Sequence, residues 1–429
     1  MTPAEQIIGA YKITAAKLLK NPDDPEQLSN QFSLLIGGGP RSPSHLILAK
    51  RAAELAPDNF TAVFNLGSAY LRAAKYPEGL RLFKKALEIA PAEKMPDALS
   101  HMGLALEMSD RFHEAIKYYD QAITLRPDDK ELYQSRALAI LETGDLAKGM
   151  FEFECKHYKP PRKVIGNSGI PRWTGEPLDG KHIVFHHEQG FGDTIQFCRI
   201  LPQIKAGKLT VAMPPSLEPL IKSGIGFKAD AWVNEDGPFE ADYYCSPMSA
   251  HGAFGVSYNQ ISGKPYFKAD PIKLPDRGKL KVGLVWRGSA GYSADVERSV
   301  ALADLAPLLE IPRVAFYSLQ VGEANKEVSK LGLDGFIGDL TGLVKDWSDT
   351  ARCMAAMDLV ISVDTSSAHL AGALGVPVWA LLARASGWRW LRGTNKTPFY
   401  DSMTLFRQQV PGDYATPIAS MATKLRGMV

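Results

Sequence analysis

Between Asp358 and Leu382 the chain reads DLVISVDTSSAHLAGALGVPVWALL, and few structures accommodate that order. Leu359–Val363 is a short apolar run rich in β-branched residues, the pattern of a strand buried on both faces. Thr365, Ser366 and Ser367 follow as small hydroxyl residues able to start a helix through Ala368–Leu374, with free backbone N–H groups at its first turn. Gly375 ends that helix, Pro377 prevents its resumption, and Val378–Leu382 forms a second buried strand. The unit is a compact βαβ whose first strand delivers a helix N-terminus at its carboxyl end. Orphan N–H groups and the helix dipole favour an anion there. His369 stands where a donor to the same phosphates would stand, and an ordinary buried βαβ unit with a capped helix accounts for the spacing equally well.

A chain of 429 residues is longer than one core organises, so two or three domains are expected. Its 49 basic and 47 acidic side chains leave a net charge of +2, which gives no electrostatic case for nucleic acid as the main ligand. Cys155, Cys198, Cys245 and Cys353 lie far apart without a C-x-x-C pair, so neither a zinc site nor a redox motif is expected. They read as reduced thiols. The start, MTPAEQIIGAYK, has no basic-then-apolar leader, and no apolar run is long enough to cross a membrane, so a cytoplasmic protein without a membrane span is expected.

The first third of the chain repeats itself. Leu66, Gly67 and Tyr70, followed by Gly79, Phe83, Ala86 and Pro91, are echoed 36 residues later by Met102, Gly103 and Leu106, then Ala115, Tyr119, Ala122 and Pro127. Small residues let two helices cross closely and the aromatic fills the groove between neighbouring pairs, a spacing similar to tetratricopeptide repeats. Ala52 and Pro57 close an earlier unit, Leu132–Phe153 begins a later one, and two extra residues fit near Ala92–Pro96. The first unit departs from the pattern at Ile36-Gly37-Gly38-Gly39-Pro40, which reads as loop. Tyr70, Tyr118 and Tyr119 read as packing between helices. The array, residues 1–155, offers a surface for a peptide or protein partner, or serves only as a scaffold.

Residues 156–180 hold Pro160, Pro161, Pro171 and Pro177 with four glycines and read as a linker. Strands then alternate with helices over 181–276 and 277–429. In the first of these segments a strand at His182–His187 runs into Glu188-Gln189-Gly190-Phe191-Gly192-Asp193, a turn whose glycines permit positive φ and close approach to backbone. His186, His187 and Glu188 are no metal set, since neighbours on a strand point to opposite faces. In the second, Lys281–Trp286 is a strand leading to Arg287, Arg298 is a phosphate contact or an ion pair with Asp295 or Glu297, and Gln320 lies at the carboxyl edge of strand Val314–Leu319. Trp388 and Trp390 wall a sugar pocket or plug the cleft.

Two of these motifs together carry a resemblance. Asp364, Thr365, His369, Leu370, Ala371, Gly375 and Pro377 follow the donor-site motif of GT-B glycosyltransferases of the heptosyltransferase type, and of bacterial glycosyltransferases bearing tetratricopeptide repeats. The G-x-G-D turn at Gly190–Asp193 resembles the acceptor-side turn of the same enzymes, and Pro171-Arg172-Trp173 their junction with the repeats. The resemblance implies an α-helical tetratricopeptide array followed by an α/β GT-B-like body of two Rossmann-like lobes, the first one small, with a C-terminal tail that crosses back to the first lobe. It implies an inverting, metal-independent transfer from a nucleotide sugar to a protein or glycan acceptor, with no cofactor. Asp193 would be the general base, or else a helix cap. Arg298, Gln320, Asp364, Thr365, Ser366, Ser367, His369 and Trp388 would bind the donor; Glu188, Gln189, Gly190 and Gly192 would form the acceptor-side turn. Arg287 departs from the small or amide residue usual after the tryptophan. A non-catalytic repeat protein with a degenerate nucleotide-binding body is the other reading.

Overall fold

A computed structural model describes residues 3–36, 43–154, 169–235, 240–275, 279–289, 291 and 295–429. The glycine-rich loop expected at 37–40, Cys155, Pro160 and Pro161 lie outside these residues. The chain divides into two compact units, Met1–Thr143 and Gly144–Val429.

The first unit is built of antiparallel-neighbour helices: α1 (Pro3–Lys20), α2 (Pro25–Ile36), α3 (Pro43–Leu55), α4 (Phe60–Arg72), α5 (Tyr76–Ile89), α6 (Met95–Glu107), α7 (Phe112–Leu125) and α8 (Lys130–Glu142). The repeated glycine and aromatic positions meet each other. A methyl group placed on Gly67 of α4 would lie 3.1 Å from the Phe83 ring of α5, and one on Gly103 of α6 only 2.8 Å from the Tyr119 ring of α7. Bare backbone at these two points lets each aromatic pack closely on the facing helix. The extra residues between the repeats form a single 3-10 turn at Ala92–Lys94. Tyr119 is buried, as expected of packing, and its hydroxyl donates to Glu107 at 2.6 Å. Tyr70 is only half-buried and lines a cavity of about 310 Å³ with Lys50, Leu66, Leu82 and Lys85.

The second unit opens with α9 (Leu146–Phe153), which the sequence places with the repeats. It belongs to the body because it packs on another helix at Gly252, where an added methyl group would lie 3.2 Å from the backbone of Met150 and Phe151, and Glu154 pairs with Arg172 and accepts from Ser249 at 2.8 Å. The first sheet contains β1 (His182–His186), β2 (Lys208–Ala212), β3 (Ala231–Val233) and β4 (Tyr243–Cys245), all parallel, in the order β3-β2-β1-β4. Helices α10 (Phe191–Phe197), α11 (Glu218–Gly224) and α12 (Pro247–Ala253) accompany it. The linker is less passive than its prolines suggest. Arg172 bridges to Tyr244, the Trp173 N–H donates to the Tyr244 carbonyl at 2.9 Å, and the Trp173 ring is buried.

The second sheet contains β5 (Leu280–Val285), β6 (Val314–Ser318), β7 (Ile337–Asp339), β8 (Leu359–Val363), β9 (Val378–Leu382) and β10 (Met403–Arg407), again parallel, in the order β7-β6-β5-β8-β9-β10. The chain builds outward from β5 to one edge, returns beside β5 with β8, and builds to the other edge. This is the doubly wound Rossmann order, and the first sheet has its first four strands. The helices are α13 (Asp295–Arg298), α14 (Ala306–Leu309), α15 (Glu327–Lys330), α16 (Trp347–Ala355), α17 (Ser366–Leu374) and α18 (Ala415–Arg426). β8 and β9 are buried throughout, as their unbroken apolar runs require. Ile418, Met421 and Leu425 of α18 join the core beneath β5, β8 and β9, so the C-terminal helix packs on its own lobe instead of crossing to the first. No described helix is long and apolar enough to cross a membrane.

The Gly103–Tyr119 contact leaves no room for a branched side chain. Gly103→Val is expected to destabilise the repeats by about 1–3 kcal/mol, the usual range for overpacking. A lowered helical melting temperature by circular dichroism would report it, and an unchanged one would mean that the Tyr119 ring yields freely.

Candidate functional site

In a doubly wound sheet the crevice for ligands opens where the strand order reverses, beyond the carboxyl ends of the strands. In the second sheet that point lies between β5 and β8, whose ends run into Trp286–Gly288 and Asp364–Ser367. In the first it lies between β1 and β4, and β1 runs into Glu188–Asp193. The turns singled out in sequence therefore occupy both reversal points, and they meet. A methyl group on Gly192 would lie 3.0 Å from His369 Cδ2, 3.2 Å from Ser366 Cα and 3.3 Å from Ser366 Oγ. Gly192 is needed for this close approach. Positive φ, expected at the glycines, falls instead on Gln189 at 62°, while Gly190 is extended at −93°.

Thr365 occupies the cap position of α17 with extended backbone and makes no side-chain capping bond, whereas Asp346 caps α16 through the N–H groups of Ser348 and Asp349. Thr365, Ser366 and Ser367 are half-buried, and Gly375 closes the helix in the left-handed conformation at φ 77°. His369 is buried beneath this turn, stacked on Trp390 with centroids 5.0 Å apart and hydrogen-bonded through Nδ1 to the Tyr400 hydroxyl at 3.0 Å. Burial, followed by the neighbouring Arg389 cation, pushes its pKa down to about 3, so it is neutral. Asp364 accepts a hydrogen bond from the Trp390 indole. Burial raises its pKa against the opposing pull of that bond and of Arg298 and Arg389.

Asp193 sits in the first turn of α10. One carboxylate oxygen accepts the Gly190 N–H at 3.1 Å and the other pairs with Arg389 Nη2. The same guanidinium donates through Nε to Gln196 Oε1 at 2.9 Å and lies 4.4 Å from the Trp388 ring centroid. The cap and the charged partner thus coexist on one carboxylate. Nearby Arg199 is a structural cation: it donates to the carbonyls of Gln196, Ser262 and Phe399 and covers the Tyr266 ring at 4.3 Å.

Other expected site residues take structural positions. Arg298 pairs with Asp295 at 2.9 Å, the ion-pair alternative, yet stands close enough to Asp364 to act on it. Gln320 is buried, and its amide oxygen accepts from the backbone of Trp286 and Arg287 at 3.0 and 2.8 Å, so it fastens β5 to β6 and does not present that oxygen to a ligand. Trp388 is buried against Phe197 and Phe399, a plug and not a pocket wall. Arg287 pairs with Glu327 at 2.6 Å. Glu188 is half-buried at the turn and Gln189 exposed. Among the described residues no cluster of three or more His, Cys, Asp or Glu could hold a metal. Arg389, Gln196 and Tyr400 escape a reading of the sequence: each joins segments far apart in the chain, and only the flanking Trp388 and Trp390 mark the place.

Residues 58–128 match the tetratricopeptide repeat family, which fixes the class of the first unit. Over 448 aligned positions the chain is 26% identical to Protein FlbA of Caulobacter vibrioides, an alignment covering 86% of this chain and 73% of that one. Among solved structures, MamA is 20% identical with 35% of this chain and 87% of that one covered at a TM-score of 0.30. TTC0263, a thermophilic TPR protein of Thermus thermophilus, is 19% identical with 37% and 86% covered at 0.33. YrrB, a TPR protein with an unusual peptide-binding site, is 22% identical with 34% and 74% covered at 0.29.

The buried His251 and His369 and the half-buried His187 are expected to make the body acid-sensitive. Burial lowers the pKa of His187 and His251 to about 4 and that of His369 to about 3, all below the ordinary value of about 6.5. The unfolded chain then binds more protons than the folded one between about pH 3 and 6.5, so stability is complete above that window and falls as pH drops through it. The melting temperature is expected to decline from pH 7 to pH 4, and less steeply in His251→Gln, which takes up no proton. Parallel profiles would show that His251 titrates freely.

Proposed function

We propose that the chain is an inverting, metal-independent glycosyltransferase of GT-B architecture, moving a sugar from a nucleotide-sugar donor to a protein or glycan acceptor recruited by the repeats. The observation that carries this reading is the meeting of the two reversal-point turns at Gly192, which brings a carboxylate of one lobe beside an uncapped helix start of the other. The first turn of α17, with Thr365, Ser366 and Ser367 and the nearby Arg298, neutralises the diphosphate, so electrostatic stabilisation of the leaving group comes from protein donors. Asp193 takes the proton of the acceptor hydroxyl as its oxygen bonds to the anomeric carbon, and the electron pair of the broken sugar–phosphate bond leaves with the diphosphate. A second reading, nucleotide binding without turnover, draws support from the engagement of both Asp193 oxygens.

A nucleoside diphosphate at 100 times its dissociation constant is expected to stabilise the fold by about 2.7 kcal/mol. The combined Thr365→Val and His369→Ala change should abolish most of the thermal shift, and full protection of that variant would move the phosphate elsewhere.

Asp193→Asn separates the two readings. A general base contributes about 10²- to 10⁴-fold, so turnover should fall by that factor with donor affinity retained, because asparagine keeps the cap but accepts no proton. Turnover equal to the parent's would exclude Asp193 as the base.

A further inference from the structure

We infer that Arg389 is the positioning residue for Asp193, fixing the aim of its carboxylate through a second anchor on Gln196. The inference rests on the glycosyltransferase reading above. Arg389 belongs to the loop after β9 in the second lobe, while Asp193 and Gln196 lie three residues apart on one face of α10 in the first. A guanidinium is a rigid planar fork, so two bonds from different nitrogens fix its orientation as well as its position. Nη2 holds Asp193 and Nε holds Gln196 at 2.9 Å, and the plane rests on Trp388 at 4.4 Å with Phe197 at 5.8 Å. The loop is itself pinned: Arg407 donates to the Leu391 carbonyl at 2.6 Å, and Leu391 is held at φ 50°, which a leucine adopts only under constraint. With Gly190 on the other oxygen, the carboxylate is gripped from both lobes.

Gln196 supplies independent support. It is fully buried, and because arginine only donates, its amide oxygen must face Arg389. Its Nε2 then points away and has no partner among the described residues. A buried amide nitrogen without a partner costs stability that methionine in the same space would not incur. The bond to Arg389 is what the glutamine adds.

The test measures kcat and KM for Arg389→Met, Arg389→Lys, Gln196→Met, Asp193→Asn and the double variant Arg389→Met/Asp193→Asn. Dissociation constants for ADP, GDP, CDP and UDP are measured beside them. A misaimed catalytic group costs about 10²-fold, so Arg389→Met should lower kcat by that factor, and Gln196→Met less, at unchanged diphosphate affinity. Lysine keeps the charge without the fork and should restore little. In the Asp193→Asn background Arg389→Met should have no further effect on kcat, a non-additivity that a purely structural loss would not produce. Multiplicative losses in the double variant, or weakened diphosphate binding at full kcat, would overturn the positioning role while leaving the proposed function standing. A full rate in Asp193→Asn alone, or no turnover by the parent with any nucleotide sugar, would overturn both.

Discussion

The body depends on one close approach. α10 and α17 come from different sheets, and each begins at the point where its sheet reverses direction. They touch because Gly192 carries no side chain. Any larger residue there would press on the His369 ring and on the backbone of Ser366, driving the two strand-end turns apart. Behind the contact lies an aromatic and cationic packing layer: Trp390 on His369, Tyr400 against the helix at Gly372, and Arg199 across Tyr266. A methyl group on Gly372 would come within 2.5 Å of the Tyr400 ring, so a second bare position is needed to bring that hydroxyl to His369. Two missing side chains thus set the geometry of the candidate site.

Much of this is legible in order along the chain. Local signals are strong where burial on both faces forces apolar runs, and β8 and β9 fall where the residues place them. The repeat spacing names its own contacts, since glycine at 67 and 103 and an aromatic ring at 83 and 119 have a reason to recur only if they meet. β7 and β10 carry no comparable signal. β7 is three residues long, and at β10 (Met403–Arg407) the residues from Phe406 onward read as the start of the C-terminal tail.

The partners of the site residues are the least legible. Which lone pair Gln320 offers, whether Arg298 faces Asp295 or open crevice, and whether Trp388 plugs or lines are questions about contacts across tens or hundreds of residues. Periodicity carries no information about them. Arg389 is the sharpest case: the tryptophans on either side read as the wall or plug of a cleft and say nothing of the arginine between them, yet its guanidinium reaches a carboxylate 196 residues away.

The linker's bridge to Tyr244 bears on a different hazard. A parallel sheet of four strands ends in an exposed row of backbone donors and acceptors at β4, a template on which a stray strand of another chain can add. Residues 171–173 occupy that row: the Pro171 carbonyl accepts the Tyr244 N–H at 3.1 Å, and the Trp173 N–H answers to the Tyr244 carbonyl at 2.9 Å. Between these two bonds only the N–H and C=O of Arg172 face away from β4, a single residue's worth of edge and too short a row for another strand to extend. The β4 edge of the small lobe is in this way covered by the same residues that lead the chain into it.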